Sequence, residues 1–204
     1  MTLEEIKAAI GAGKTVHWSN DSYRVIKDRI GQYLIAYGEG TRGANYIGLT
    51  WRDGVTMNGK PSEFYLGLDR VTRAYLECAL WAGNDESTPS GGEPLDRNYT
   101  VKDFAAESVT QALSECAAFV ERMAEARAVW GDKAEEEGVE LDEGNFDSSD
   151  VGHDFWLSRN GYGTGFFDSP EKYGEELAEI YQDLARAAGE RHAIVGGGGK
   201  IYVE

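Results

Sequence analysis

Cationic side chains are scarce in this chain: 20 Lys and Arg stand against 36 Asp and Glu in 204 residues, a formal net charge of −16. Duplex DNA, RNA and anionic bilayers are bound through positive surface, so the shortage argues against nonspecific binding of any of them. Net charge bears on partners and solubility rather than on fold. Cysteine is nearly absent as well. Cys78 and Cys116 show no C-x-x-C spacing and lie in apolar, helix-like stretches, which reads as two buried thiols in a reducing cytoplasm. The three histidines, His17, His153 and His192, do not pair at metal-ligand spacing, and no HExxH occurs. No apolar run approaches the roughly 18 residues of a membrane span, and the acidic, amphipathic start MTLEEIKAAI is unlike a signal peptide. The expectation is a cytosolic chain with no membrane contact, no cofactor and no metal.

What is present suffices for packed cores: 41% of residues are apolar and 11% aromatic. Thr2-Leu-Glu-Glu5 is a capping box, and it predicts a short helix from Leu3 to Ala9 that stops at Gly11 and Gly13. Strand-like runs follow at Val16–Trp18, Tyr23–Ile26, Gln32–Tyr37 and Tyr46–Trp51. Turn residues separate them at Asn20-Asp21, Gly31, Glu39–Asn45, Asp53-Gly54 and Asn58-Gly59. From Arg70 the pattern changes. Val71–Trp81 reads as helical or mixed, Val101–Ala105 as a short helix, and Gly83–Pro94 as a loop. Ser108–Trp130 is the longest helix, with Val109, Leu113, Cys116, Ala117, Val120 and Met123 on one stripe.

Phe155–Arg159 and Thr164–Phe167 predict a hairpin about Asn160-Gly161. Ser169-Pro170 opens an amphipathic helix through Tyr173, Leu177, Ile180 and Leu184, ended by Gly189. Ile194-Val195, four glycines and Ile201–Val203 predict a terminal hairpin. The fold class expected is α+β: a small N-terminal antiparallel sheet with one helix, then C-terminal helices packed on short β-hairpins. The domains expected are 1–67 and 68–204. The charge supports that division, because residues 1–67 hold 7 acids and 8 bases, whereas 68–204 hold 29 acids and 12 bases.

No motif marks a catalytic centre. Gly11-Ala-Gly-Lys-Thr15 has Ala8 where a phosphate-binding loop needs its first glycine, and its helix-then-strand order is reversed. Gly161–Gly165 lacks a βαβ setting, and Gly196–Gly199 reads as a turn. A calcium loop begun at Asp142 would need Gly144 and Phe146 as ligands; begun at Asp147, it would need Ser149 and Val151. His153, Asp154 and Arg159 form the one polar group from which a small enzyme could be built, and closing polar residues of a turn explain them more simply. Phe155, Trp156, Phe166 and Phe167 are expected as a core face beneath the Tyr173 helix, with partner anchors as the rival reading.

The feature that stands out is the acidic run from Asp132 to Asp154. Asp132, Glu135, Glu136, Glu137, Glu140, Asp142, Glu143, Asp147, Asp150 and Asp154 accompany a single base, Lys133. These ten are the candidate partner-binding residues, and a basic surface is the complementary partner.

Three stretches of the second part, Tyr75-Leu-Glu-Cys-Ala-Leu-Trp81, Pro94-Leu-Asp96 and Asp154-Phe-Trp-Leu-Ser-Arg-Asn-Gly161 through Gly165-Phe-Phe-Asp168, resemble small proteins of bacteriophages and prophages. The first part, with Val16-His-Trp18, Gly31-Gln-Tyr-Leu-Ile35 and Ile47-Gly-Leu-Thr50, resembles short proteins of phages and proteobacterial mobile elements. The resemblance implies an accessory protein made of two such modules, acting in the host bacterial cytoplasm, and it brings no site residues with it. With the charge, it leads to the expectation of a non-enzymatic anti-defence protein. Such an anti-CRISPR or anti-restriction inhibitor would occupy the basic surface of a CRISPR effector or restriction enzyme. The near-neutral first domain would add a contact, tune specificity or form a homodimer. An adaptor that binds through aromatics, and an enzyme centred on His153, Asp154 and Arg159, are the alternatives.

Overall fold

A computed structural model describes residues 1–38, 41–87, 92–138 and 144–204. The fold is α+β and divides into two compact units, Met1–Leu68 and Asp69–Glu204.

In the first unit, Thr2 and Glu5 close the expected capping box: Glu5 N–H donates to Thr2 Oγ1 at 3.3 Å, and Thr2 N–H to Glu5 Oε2 at 2.8 Å. Helix α1 runs Leu3–Gly11. Five strands follow: β1 Val16–Trp18, β2 Asn20–Lys27, β3 Tyr33–Tyr37, β4 Asn45–Gly48 and β5 Phe64–Leu66. They form one antiparallel sheet in the order β4-β3-β2-β1-β5. The register sets Val16 against Val25 and Leu66, and Val25 against Ile35, so apolar residues at period two share a face. That face joins Ile6 of α1, Leu49 and Phe64 in a buried core.

Two expectations need correction here. The β1–β2 turn is not at Asn20-Asp21: it is the single residue Ser19, at φ 63°, and Asn20 already pairs with Trp18. Strand β5 was not anticipated, because three residues behind a turn carry too little periodicity to show alone.

The second unit is mainly helical. Asp69 caps α2 (Arg70–Ala82), accepting from Thr72 N–H at 2.9 Å and the Thr72 hydroxyl at 2.7 Å. Two-residue strands β6 (Asn84–Asp85) and β7 (Glu93–Pro94) pair next. Then come α3 (Ala106–Glu137), α4 (Ser148–Arg159), α5 (Pro170–Tyr173) and α6 (Glu175–Ala187). The expected terminal hairpin is present as β8 (Ala193–Val195) and β9 (Ile201–Val203). A left-handed Gly174, φ 81°, divides the expected single helix near Tyr173 into α5 and α6.

The largest correction concerns Phe155–Arg159. It is not a hairpin strand but the second half of α4, and Thr164–Phe167 leads into a short 3-10 turn at Phe166–Asp168. Asp147 starts α4 as N-cap, accepting from Ser149 N–H at 2.6 Å and Asp150 N–H at 3.1 Å. From Val151 to Arg159 only His153 is exposed. A helix buried nearly all round shows no amphipathic stripe, so periodicity cannot separate it from a buried strand. Gly152 permits the burial: a Cβ there would lie 2.0 Å from the Val71 carbonyl oxygen of α2. Around it, Phe119 of α3 stacks on Phe155 at 3.9 Å, and Trp156 meets Tyr75 edge to face at 5.0 Å.

Candidate binding surface

Helix α3 carries the acidic run much further than its first residues suggest. It does not end at Trp130 but continues through Glu137, and Gly138 closes it in the left-handed conformation. Core-facing positions Ala112, Cys116, Phe119, Met123 and Ala134 hold one side. On the opposite side lie Glu121, Glu125, Asp132, Glu135 and Glu136, all exposed. At 3.6 residues per turn these five fall within an arc of roughly 100°, and at 1.5 Å rise they span about 22 Å. None of the five has an ion pair among the described residues. Glu137, also exposed, pairs loosely with Lys133 at 4.0 Å, and the Lys133 ammonium lies over the Trp130 ring at 4.6 Å.

Glu121 and Glu125 were not among the residues expected. Carrying the helix on to Glu137 reveals them, because positions 121, 125, 132 and 136 are spaced by four, seven and four and so share one face.

The remaining acids separate into distinct roles. Glu140, Asp142 and Glu143 lie outside the described residues. Asp147 is the α4 cap, and its partner in the cap, Asp150, also pairs with Lys172 at 3.0 Å. Burial opposes the charge of Asp150, but the Asp147 N–H and the Lys172 ammonium outweigh it and hold the carboxyl below its ordinary value. Asp154 is 4% exposed. It accepts the Tyr173 hydroxyl at 2.7 Å and lies 3.1 Å from His153 Nδ1. That corrects Asp154 as a partner contact: a carboxylate closed in by α5 and its own helix has no face for a partner. Burial, and then the Asp154 charge, push the Tyr173 hydroxyl far above its ordinary value.

His153, Asp154 and Arg159 do not converge in one hydrogen-bonded group. The Arg159 side chain is fully buried and faces α3, away from the Asp154–Tyr173 pair. It donates to Glu115 Oε2 at 2.6 Å, the Tyr75 hydroxyl at 2.7 Å, and the carbonyls of Gly189 at 2.7 Å and Ala188 at 3.0 Å. Glu115 also accepts from Arg191 at 2.7 Å and Gln111 at 2.8 Å. Desolvation opposes the Glu115 charge, and Arg191, Gln111 and Arg159 together override it and lower its pKa.

Of the aromatics, Phe155, Trp156 and Phe166 are buried and Phe167 is exposed. Burial pushes both cysteine thiols up to about 12, so neither is a thiolate at neutral pH. Among the described residues no helix is long and apolar enough to cross a membrane. No known protein family, curated protein or solved structure matches the chain.

Proposed function

We propose that the second unit is an acidic binding module that occupies a basic, nucleic-acid-binding surface. On this reading the protein is a phage or mobile-element anti-defence inhibitor, acting on a CRISPR effector or restriction enzyme in the host cytoplasm. The observation that carries it is the α3 row: Glu121, Glu125, Asp132, Glu135 and Glu136, exposed on one face of one continuous helix. Five carboxylates over about 22 Å compare with roughly six or seven phosphates along the same length of one DNA strand. The row therefore approaches the charge density of a strand without matching it. Helical scaffolding matters beside charge, since a preformed helix loses no backbone entropy on binding and only the side chains have to be ordered. Long-range attraction toward a basic groove makes association fast and sensitive to salt.

The test is competition. Purified protein is captured on a candidate effector at low and high salt, with duplex DNA as competitor. The expected result is retention at low salt, release at high salt and displacement by DNA. The double variant Glu125→Lys with Glu136→Lys should bind at least about tenfold more weakly, a loss of about 1.4 kcal/mol. Full-strength inhibition by that variant would remove the basis for the proposal.

A further inference from the structure

Of the large apolar side chains that the first unit exposes, Ile30 at 79%, Val55 at 73% and Trp51 at 64% are the most exposed among the described residues. The sheet brings their loops to one end. Strand β1 starts at Val16 opposite Val25, β2 ends at Lys27 opposite Tyr33, and Leu49 N–H donates to the Tyr33 carbonyl at 2.9 Å. The segment before β1, the β2–β3 turn and the loop after β4 therefore leave the sheet side by side, on strands about 4.8 Å apart.

Both apolar loops are internally tied. Asp28 accepts from the N–H groups of Ile30 at 3.0 Å and Gln32 at 2.8 Å. Asp53 accepts from the N–H groups of Val55 at 3.0 Å and Thr56 at 2.9 Å, and from the Thr56 hydroxyl at 2.6 Å. The two acids in these loops are thus bonded within their own turns, Asp28 half-buried and Asp53 at the surface, and Lys14, Lys27, Arg29 and Arg52 are exposed beside them. The side chains of Lys14, Arg29 and Arg52 have no hydrogen-bond or ion-pair partner among the described residues. Trp and Arg on preorganised loops are the residue types that dominate binding energy at interfaces.

Helix α3 presents the complement. Val129 is 70% exposed, between Glu125 and Asp132 along the helix and about 20° beyond the arc of the five acids, so an apolar side chain borders the acid row. We propose that a second copy of this chain docks the Ile30–Trp51–Val55 end of its sheet on the α3 row, with Arg29 and Arg52 facing the carboxylates. Charge complementarity together with apolar matching selects this occupant. Two copies of net charge −16 repel at distance, but at physiological salt that repulsion is screened beyond about 8 Å and the local pairing governs the contact. Because the two faces differ, the contact is head to tail and closes only as a ring. It uses the same row as the function proposed above but does not require that function, because it is read on the purified protein alone.

Sedimentation equilibrium of the full chain at about 0.15 M salt is the test. Molar mass should rise with protein concentration. Arg29→Glu with Arg52→Glu, and separately Glu125→Lys with Glu136→Lys, should each weaken association at least about tenfold. Trp51→Ala should do the same with no change of charge. Mixing the two charge-reversed variants should restore association, which also shows that both are folded. A wild-type chain that stays monomeric at every concentration overturns the proposal. So does a mixture that fails to associate.

Discussion

Arg159 Nη1 lies 2.6 Å from Glu115 Oε2, and through that pair α4 is fastened to α3. The same guanidinium caps the C-terminal end of α6 by donating to the Ala188 and Gly189 carbonyls, where the helix dipole favours a cation. It also lies over the Phe155 ring at 4.9 Å. One base of the acidic unit is thus wholly engaged inside the fold, and because Glu115 neutralises it, the pair holds helices together without changing the net charge of the surface.

Removing either member of that pair should destabilise the second unit by different amounts. Arg159→Ala strands the Tyr75 hydroxyl and two carbonyls and leaves a cavity, and breaking a buried pair in this way costs about 3–5 kcal/mol. Glu115 is partly exposed, so solvent screens the charge left behind, and Glu115→Gln should cost less, about 1–2 kcal/mol. Urea denaturation followed by circular dichroism measures both. Equal losses would mean that the guanidinium is better hydrated than its burial indicates.

Acid should weaken the protein through Glu115 and Asp150. Both carboxyls have a lower pKa folded than unfolded, so the unfolded chain binds more protons in the titration range. Their stabilisation is complete above the unfolded values, about 4.3 for Glu and 3.9 for Asp, and is lost as pH falls through the lower folded values. The urea midpoint should fall below about pH 4.5 in the wild type and fall less steeply in Glu115→Gln. A variant with the wild-type acid profile would show that Glu115 does not carry this dependence.

Local signals in the sequence identified much of the fold. The Thr2–Glu5 box, the alternating strands before Gly67 and the terminal hairpin are each decided by neighbouring residues, whereas the α3 stripe holds only in part: Leu113, Cys116 and Met123 are buried, but Ala117 and Val120 are exposed and Ala112 and Phe119 face the core instead. What was hidden depended on tertiary contact. Strand β5 exists because β1 offers an edge, and α4 is a helix because α2, α3 and α6 surround it. For the candidate surface, charge located α3 but its extent decided which acids align. Counting acids along the chain grouped Asp154 with Glu136, although one is an internal hydrogen-bond acceptor and the other lies in solvent.

Gly152 should tolerate no side chain. Its absent Cβ would lie 2.0 Å from the Val71 carbonyl oxygen and 2.9 Å from the Tyr75 nitrogen, both backbone atoms of α2. Backbone cannot rotate aside, so Gly152→Ala must push α2 and α4 apart and loosen Phe155 and Trp156 from Tyr75. Overpacking of this kind costs about 1–3 kcal/mol or more, and it should exceed the small gain in helix propensity from Ala. The midpoint of thermal unfolding reads the balance, and an unchanged or higher midpoint would contradict the close approach.

Asp154 and Glu136 provide the sharpest separation of structure from surface, because both belong to the same acidic run. Asp154→Ala leaves the buried Tyr173 hydroxyl without its acceptor, and an unsatisfied buried donor costs about 1–3 kcal/mol. Glu136→Lys changes an exposed side chain with no ion-pair partner among the described residues, and such changes shift stability by about 0.5 kcal/mol or less. Binding to a basic partner should respond in the opposite order. Glu136→Lys should weaken it directly, whereas Asp154→Ala should leave it unchanged at temperatures where the variant stays folded. Denaturation and binding measured on the same two variants therefore give a crossed pattern. If Asp154→Ala lowered affinity without lowering stability, its carboxylate would have to reach a partner, and the buried Asp154–Tyr173 pair would not describe the bound state.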